Sequence, residues 1–334
     1  MITVVVPTIR EDCIKRWLTE WEEDLHDTRV IIVEDNPTKT FQISGVEHYA
    51  WEDIDRDLRG DSWVIPRRSS ACRSYGFLKA LEGPCEAIWT LDDDCYPETG
   101  VRGRYLGAYT AQLGYSTPDD RWFNTIHHSG LHPRGYPYGI RGQVKPVMVH
   151  HGLWSNIPDL DGVTQLANPD FRLPPTTAPE VVPYGKFLPF CIMNVGFRRE
   201  FTPALYMLLM GKDKGLVPWG FDRFDDIWAG LFVKKIADHL GMTVTSGYPG
   251  IHHSKASDPH RNVELEAAGM SAHEGFWEYI SGVRLTGDSV SECYAELAHA
   301  VWGSPVPPPA GRSDYWFKLS DAMRIWNRLV KERL

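Results

Sequence analysis

Short β-branched runs alternate with amphipathic stretches through the first hundred residues, the pattern of βαβ units and a mostly parallel sheet. Strands are predicted at Ile2 to Val6, Val30 to Val33, Ser62 to Ile65 and Ala87 to Leu91, with helices at Glu11 to Asp27 and Ala71 to Leu81. In a parallel sheet, ligands bind beyond the carboxyl ends of the strands. There the sequence reads Pro7-Thr8-Ile9-Arg10, Glu34-Asp35-Asn36, Pro66-Arg67-Arg68 and Asp92-Asp93-Asp94, all polar or charged.

From about Trp122 to Tyr184 the pattern breaks into short runs rich in Pro, Gly, His and aromatic residues, expected as loops and antiparallel pieces forming a second wall of a cleft. Helices are predicted at Glu200 to Met210, Asp225 to Leu240, Val290 to Trp302 and Asp314 to Arg333. No flexible linker interrupts the chain before the proline-rich Ser304 to Pro309, and no internal repeat is found. The expected organisation is a catalytic body over residues 1–285, with a nucleotide half (1–115) and a sugar or acceptor half (116–285), followed by a helical appendage over 286–334.

Composition narrows the function. Lys and Arg number 35 against 44 Asp and Glu, a net charge of −9, which argues against general binding of nucleic acid or anionic membrane. No run approaches the roughly 18 apolar residues of a membrane helix, and no basic segment precedes the first strand, so neither membrane insertion nor a signal peptide is expected. The six cysteines are scattered without a CxxC pair, which fits a reducing cytoplasm.

The strongest chemical signal is an apolar strand running into Asp92-Asp93-Asp94. In an extended chain residues i and i+2 point the same way, so Asp92 and Asp94 can converge as a hard-oxygen site for Mn²⁺ or Mg²⁺; a solvated acidic turn is the alternative. A distant third ligand is sought in His252-His253-Ser254-Lys255, with His253 as metal ligand and Lys255 facing phosphate. An acidic protein with an anionic substrate needs local cations. The candidates are Arg67-Arg68 with Arg73, Arg198-Arg199, and Arg134 with Arg141 in a Gly/Pro/Tyr-rich segment suited to a sugar or nucleotide. Asp225 and Asp226 open a predicted helix, where one acid can cap and the other face the cleft.

These clusters, in this order, resemble the reversibly glycosylated polypeptides, also known as UDP-arabinopyranose mutases. The shared segments include Val5-Val6-Pro7-Thr8-Ile9-Arg10, Ser70 to Gly76, Leu91 to Cys95, Arg134-Gly135-Tyr136-Pro137, His151 to Asp159, Asp225 to Gly230 and His253 to Ser257. The resemblance implies a GT-A-like nucleotide-diphospho-sugar fold and a Mn²⁺ or Mg²⁺ held through the Asp motif, to which the residue reading adds His253 beside Asp92 and Asp94. It further implies a UDP-sugar substrate, pyranose-to-furanose interconversion of UDP-arabinose, and reversible glycosylation of Arg134, with Arg141 as the second required arginine. Substrate contacts are expected from Pro7, Thr8, Arg10, Glu34, Asp35, Arg73, Asp93, Trp154 and Lys255. Asp225 or Asp226 would take the proton from an attacking guanidinium. The chain departs from the plant pattern at Ile126 to Pro133, Tyr96 to Glu98 and Ser304 to Pro309. UDP-glucose or UDP-galactose as substrate, glycosyl transfer or hydrolysis as the reaction, and a silent UDP-sugar scaffold remain alternatives. The 13 tryptophans and aromatic-rich segments would permit homo-oligomer contacts.

Overall fold

A computed structural model of the chain describes residues 1–98, 103–118, 125, 131–141, 143–254 and 257–334. In chain order its strands are β1 (Ile2–Thr8), β2 (Arg29–Glu34), β3 (Glu47–Tyr49), β4 (Ala87–Leu91), β5 (Cys95–Pro97), β6 (Ser116–Pro118), β7 (Val144–Asn156), β8 (Pro179–Val181), β9 (Asn194–Arg198) and β10 (Thr243–His253). Its helices are α1 (Glu11–Glu20), α2 (Trp51–Leu58), α3 (Arg73–Leu81), α4 (Tyr105–Gly114), α5 (Gly162–Ala167), α6 (Asp225–His239), α7 (Pro259–Gly282), α8 (Val290–Trp302) and α9 (Tyr315–Lys331).

One sheet runs β3-β2-β1-β4-β9-β7-β10-β5. It is parallel across β3-β2-β1-β4 and again between β7 and β10, while β9 inserts antiparallel between β4 and β7. The two-residue period of the strands divides the core. Val5, Ile31, Val33 and Ile88 face one side with α2, α3, α6 and the C-terminal helices. Val4, Val6, Val30, Ile32 and Trp89 face the other with Trp17 and Trp21 of the α1 region and Tyr105 and Tyr109 of α4. Helices on both faces of this sheet make a mixed α/β fold consistent with the GT-A-like class.

Several expectations are corrected. Ser62 to Ile65 is not a strand: Arg59 turns at φ +50 and a 3₁₀ helix follows over Arg59–Val64, leaving the short polar β3 beside β2. Helix α1 stops at Glu20 rather than Asp27. Glu200 to Met210 is a 3₁₀ turn over Arg199–Ala204, with Pro203 inside it, followed by irregular chain in which every residue from Leu205 to Met210 is 0% exposed. Pro203 lacks the backbone N–H a helix would use there, and the apolar run after it is enclosed as irregular chain. The longest helix, α7, is unforeseen.

Helices α8 and α9 pack on each other and share the main core, through Tyr294, Trp316 and Trp326, with Phe232 and Phe276. Trp326 Nε1 donates to Pro203 O (3.1 Å) and Tyr315 OH to Leu209 O (2.9 Å), which satisfies carbonyls of the enclosed segment.

Helix α3 crosses β1 and β2 at Gly76, where a Cβ would lie 2.4 Å from Val5 Cγ1 and 3.0 Å from Val33 Cγ2. Gly76→Ala is therefore expected to destabilise by about 1–3 kcal/mol despite its better helix propensity, measurable as a lowered urea midpoint with unchanged slope.

Candidate functional site

At the carboxyl ends of β1, β2 and β4 lies a cleft of about 780 Å³. Nine residues singled out from sequence line it: Pro7, Thr8, Arg10, Asp35, Arg68, Asp92, Asp93, Asp94 and His253. Strand β4 is fully buried up to Leu91, so the chain must turn where its polar residues begin, and the three aspartates fall in that turn.

Two arginines hold the acidic turn. Arg73, 0% exposed at the start of α3, donates from Nε to Ser70 O (3.1 Å), from Nη1 to Thr90 Oγ1 (3.0 Å) and Ile192 O (3.2 Å), and from Nη2 to Asp92 Oδ1. Burial works against its charge and Asp92 outweighs burial, so it stays cationic. Arg10 donates from Nε to Asp93 Oδ2 (3.2 Å) and from Nη2 to Asp93 Oδ1 and to Asp94 Oδ2 (3.0 Å). Thr8 Oγ1 adds a bond to Asp93 Oδ2 (2.6 Å). Burial nevertheless pushes the Asp93 carboxyl up, against Arg10 and Thr8. Asp93 is thus the inward member of the turn, tied to β1, while Asp92 and Asp94 border the open cleft.

The facing wall carries His253 at the end of β10. Its Nδ1 bonds Ile157 O (2.8 Å), and because a carbonyl only accepts, Nδ1 carries the proton. Nε2 is left as a lone pair, 3.9 Å from Asp94 Oδ1. A backbone carbonyl on the far nitrogen is the usual support of a metal-binding histidine. Among the described residues no group of three or more His, Cys, Asp or Glu could hold a metal. The pair Asp94 and His253 fits a hard divalent ion that takes its other ligands from phosphate and water; Asp92 has one oxygen engaged by Arg73.

Other expected residues fall elsewhere. Glu34, 0% exposed, turns away from the cleft and accepts from Asn36 Nδ2 (2.8 Å) and from Thr40 N and Oγ1 (3.1 and 2.5 Å), with His48 Nε2 at 3.0 Å. Trp154 is a core residue of β7, edge-on to His151. Arg134 is exposed, and Arg141 donates to Tyr136 O (3.0 Å) and stacks 3.6 Å over Tyr138. Neither lines the cleft. Lys255 lies outside the described residues.

Asp225 and Asp226 stand at the amino end of α6, behind the cleft wall. Asp226 Oδ2 accepts from Ile192 N (3.0 Å), so Asp226 and Arg73 grip the backbone of Ile192 at its N–H and its carbonyl. Burial, then Asp225 and Asp159, push its carboxyl up; burial and Asp222 do so for Asp225, whose Oδ2 has no partner among the described residues.

Sequence reasoning missed Asp159, Arg223 and Arg261 as wall residues. Asp159 closes the His151 to Asp159 segment and Arg223 directly precedes Phe224-Asp225-Asp226, so both lay inside segments already singled out.

Asp35, 5% exposed, accepts from Trp51 Nε1 (2.7 Å) and Arg68 N (3.1 Å), yet burial raises its carboxyl to about 6 from 3.8. A raised carboxyl favours folding below its unfolded value and loses that contribution as pH rises through the folded value. Asp35→Asn keeps the acceptor and removes the charge. The variant is expected to match wild type below about pH 4 and to exceed it by about 2–3 kcal/mol above about pH 6, checked by denaturant titrations across that range.

The chain matches the model of the family "Reversibly glycosylated polypeptide" over residues 1–333. It is 36% identical over 343 aligned positions to UDP-arabinopyranose mutase 1 of Arabidopsis thaliana, covering 97% of this chain and 90% of that protein. A probable UDP-arabinopyranose mutase 1 of Pisum sativum matches at 36%, covering 97% of this chain and 89% of the relative. UDP-arabinopyranose mutase 1 of Oryza sativa subsp. japonica matches at 35%, with the same two coverages of 97% and 89%. With the acidic turn, its arginines and the cleft falling within this end-to-end match, the chain belongs to the reversibly glycosylated polypeptide family.

Proposed function

We propose that this protein is a UDP-arabinopyranose mutase that holds its nucleotide sugar in the cleft at the carboxyl ends of β1, β2 and β4. The observation that carries the reading is the Arg10- and Arg73-braced aspartate turn at that position, in a chain similar along 97% of its length to proteins named for this activity. Uridine lies against Pro7, Thr8 and Asp35, and the diphosphate extends past the turn. Asp94 and His253 would hold Mn²⁺ or Mg²⁺, which would supply neutralising charge to the departing diphosphate. The anomeric C–O bond breaks with its electron pair going to the β-phosphate oxygen as a nitrogen of Arg134 bonds to C1 and gives up its proton. The C1–O5 bond then breaks with O5 taking a proton, and the O4 hydroxyl closes on C1 with loss of its proton. The β-phosphate oxygen bonds to C1 again as the C1–N bond breaks, giving UDP-arabinofuranose and free Arg134. UDP stays bound throughout.

The reading includes transient attachment of the pentose to Arg134, as the family segment Arg134-Gly135-Tyr136-Pro137 implies. A guanidinium with pKa above about 12 is a poor nucleophile and must lose a proton as the bond forms. Arg134 is exposed and outside the cleft wall, so capture requires the 131–141 segment to bring it to the sugar. A cytoplasmic setting accompanies the reading, since all six cysteines are free thiols. Among the described residues no helix is long and apolar enough to cross a membrane.

Incubated with UDP-arabinopyranose and Mn²⁺, the protein is expected to form UDP-arabinofuranose without net release of UDP, read by chromatography, while intact mass shows a pentose adduct absent from Arg134→Lys. If UDP accumulates instead and the protein gains a hexose from UDP-glucose or UDP-galactose, the reaction is transfer and the mutase reading is wrong. Full turnover by Arg134→Lys removes the arginine adduct from the mechanism.

Chelation is expected to stop turnover and Mn²⁺ to restore it. Asp94→Asn and His253→Gln should each raise the Mn²⁺ concentration needed for half activity by about tenfold or more. An unchanged Mn²⁺ requirement in both would move the metal elsewhere.

A further inference from the structure

Among the described residues six non-glycine residues have positive φ, and two of them, Arg68 (φ +57) and Arg223 (φ +59), are arginines in the cleft wall. A left-handed backbone is unfavourable for a residue with a Cβ, and it persists where surrounding structure imposes it. At Arg223 that structure is explicit. Nε donates to Glu266 Oε1 (2.8 Å), and Glu266, 4% exposed on α7, accepts from Gly162 N at the start of α5 through Oε2 (2.7 Å). A Cβ at Gly162 would lie 2.7 Å from Val263 N and 2.8 Å from Pro259 O, so α5 is pressed directly onto α7. Two helices therefore fix one carboxylate, and that carboxylate fixes the guanidinium by its Nε edge.

The two terminal nitrogens of Arg223 have no hydrogen-bond acceptor among the described residues, and Glu266 is its ion-pair partner. The other cleft arginines compare differently. Arg10 is committed to Asp93 and Asp94; Arg68 spends Nη1 on Asn36 Oδ1 (3.3 Å) and lies 5.0 Å over Trp51; Arg261 is exposed and no hydrogen bond among the described residues fixes its guanidinium. The cleft also carries the negative charge of the aspartate turn and Asp159, which opposes a diphosphate. A pre-positioned guanidinium fork with both terminal nitrogens open matches phosphate oxygens. Asp159 feels the charge of both Arg223 and His253, and His253 Nε2 lies 3.9 Å from Asp94 Oδ1, so Arg223 borders the Asp94–His253 side of the cleft. With uridine against Pro7, Thr8 and Asp35 as proposed, a group on that side meets the second phosphate rather than the first.

We propose that Arg223 holds the β-phosphate of UDP while the sugar is detached, and that Glu266 is its positioning residue. This rests on the nucleotide-sugar reading of the cleft. As the anomeric C–O bond breaks, the electron pair goes to the β-phosphate oxygen. Arg223 receives that charge through hydrogen bonds with no proton transferred, which keeps UDP in place for the return step.

The test is calorimetric titration of the full chain with UDP, UMP and uridine in Mn²⁺. Arg223→Gln can still donate to Glu266 but lacks the charge and the fork. It is expected to bind UDP at least about tenfold more weakly, with UMP and uridine within about twofold of wild type, and to leak more free UDP per furanose formed. Glu266→Gln, which leaves Arg223 in place but loosely held, should show the same selective loss in smaller measure; a merely structural Glu266 would weaken all three ligands alike. An unchanged UDP-to-UMP affinity ratio in Arg223→Gln overturns the proposal. If that variant does not fold, the ratio is read on Arg223→Lys, where loss of the fork should still lower it several-fold and an unchanged ratio is equally fatal. Wild-type protein that binds UDP no better than uridine refutes the nucleotide-sugar reading itself, a result separate from the failure of Arg223 alone.

Discussion

The buried guanidinium of Arg73 is the constraint on which the site depends. It is fully enclosed, and its donors reach Ser70 O, Thr90 Oγ1, Ile192 O and Asp92. Thr90 Oγ1 in turn donates to Val5 O (2.8 Å), and Ile192 N donates to Asp226 (3.0 Å). One cation thereby ties α3, β4, β1, the approach to β9 and the start of α6 to the first aspartate of the turn. Removing Asp92 would leave the enclosed guanidinium without its counter-charge, although Asp92 itself, 32% exposed, opens on the cleft. The position of Asp92 is therefore set by the core rather than by the loop that carries it.

That anchoring decides how charge is distributed. The sheet delivers acids to one edge because β1, β2 and β4 all end there, and parallel pairing brings Thr8, Glu34 and the Asp92 turn to the same level. Arginines are then assigned by depth: Arg73 below the floor on Asp92, Arg10 at the rim on Asp93 and Asp94. Glu34 meets the same crowding differently, by turning to Thr40 and Asn36. On the opposing wall, alternation along β10 sends His253 into the cleft while its neighbour His252 lines a separate pocket with Glu98 and Tyr248.

What was legible in the sequence follows the same physics. β1, β2 and β4 are buried on both faces and read as continuous β-branched or apolar runs, so their ends, and the site at those ends, could be located. Helix α7 could not. Its buried positions are Asn262, Glu266, Gly269, Ala272, Phe276 and Ile280, at helical spacing but mostly polar or small, so no apolar stripe marks it. The reason is the site itself: Glu266 is buried to hold Arg223, and Gly269 is bare because Phe224 would lie 2.4 Å from a Cβ there. Trp154 failed for the opposite reason. It sits in a segment rich in residue types that serve sites, but strand alternation turns it into the core.

The rim also constrains how a divalent ion can act in the proposed reaction. Asp94 Oδ2 already accepts from Arg10, and only Oδ1 faces His253 Nε2, 3.9 Å away. Two protein donors, one of them sharing a carboxylate with a guanidinium, make a weak site for a hard cation that prefers six oxygen ligands or more. A diphosphate supplies the missing oxygens together with two negative charges, so ion and nucleotide each strengthen the binding of the other by the same factor. The neighbouring Arg10 makes this coupling steeper, because its positive charge opposes a lone cation far more than it opposes a cation already carrying a diphosphate. In the proposed reaction a cleft arranged in this way would take up metal mainly with its nucleotide and keep hold of both while the sugar is free.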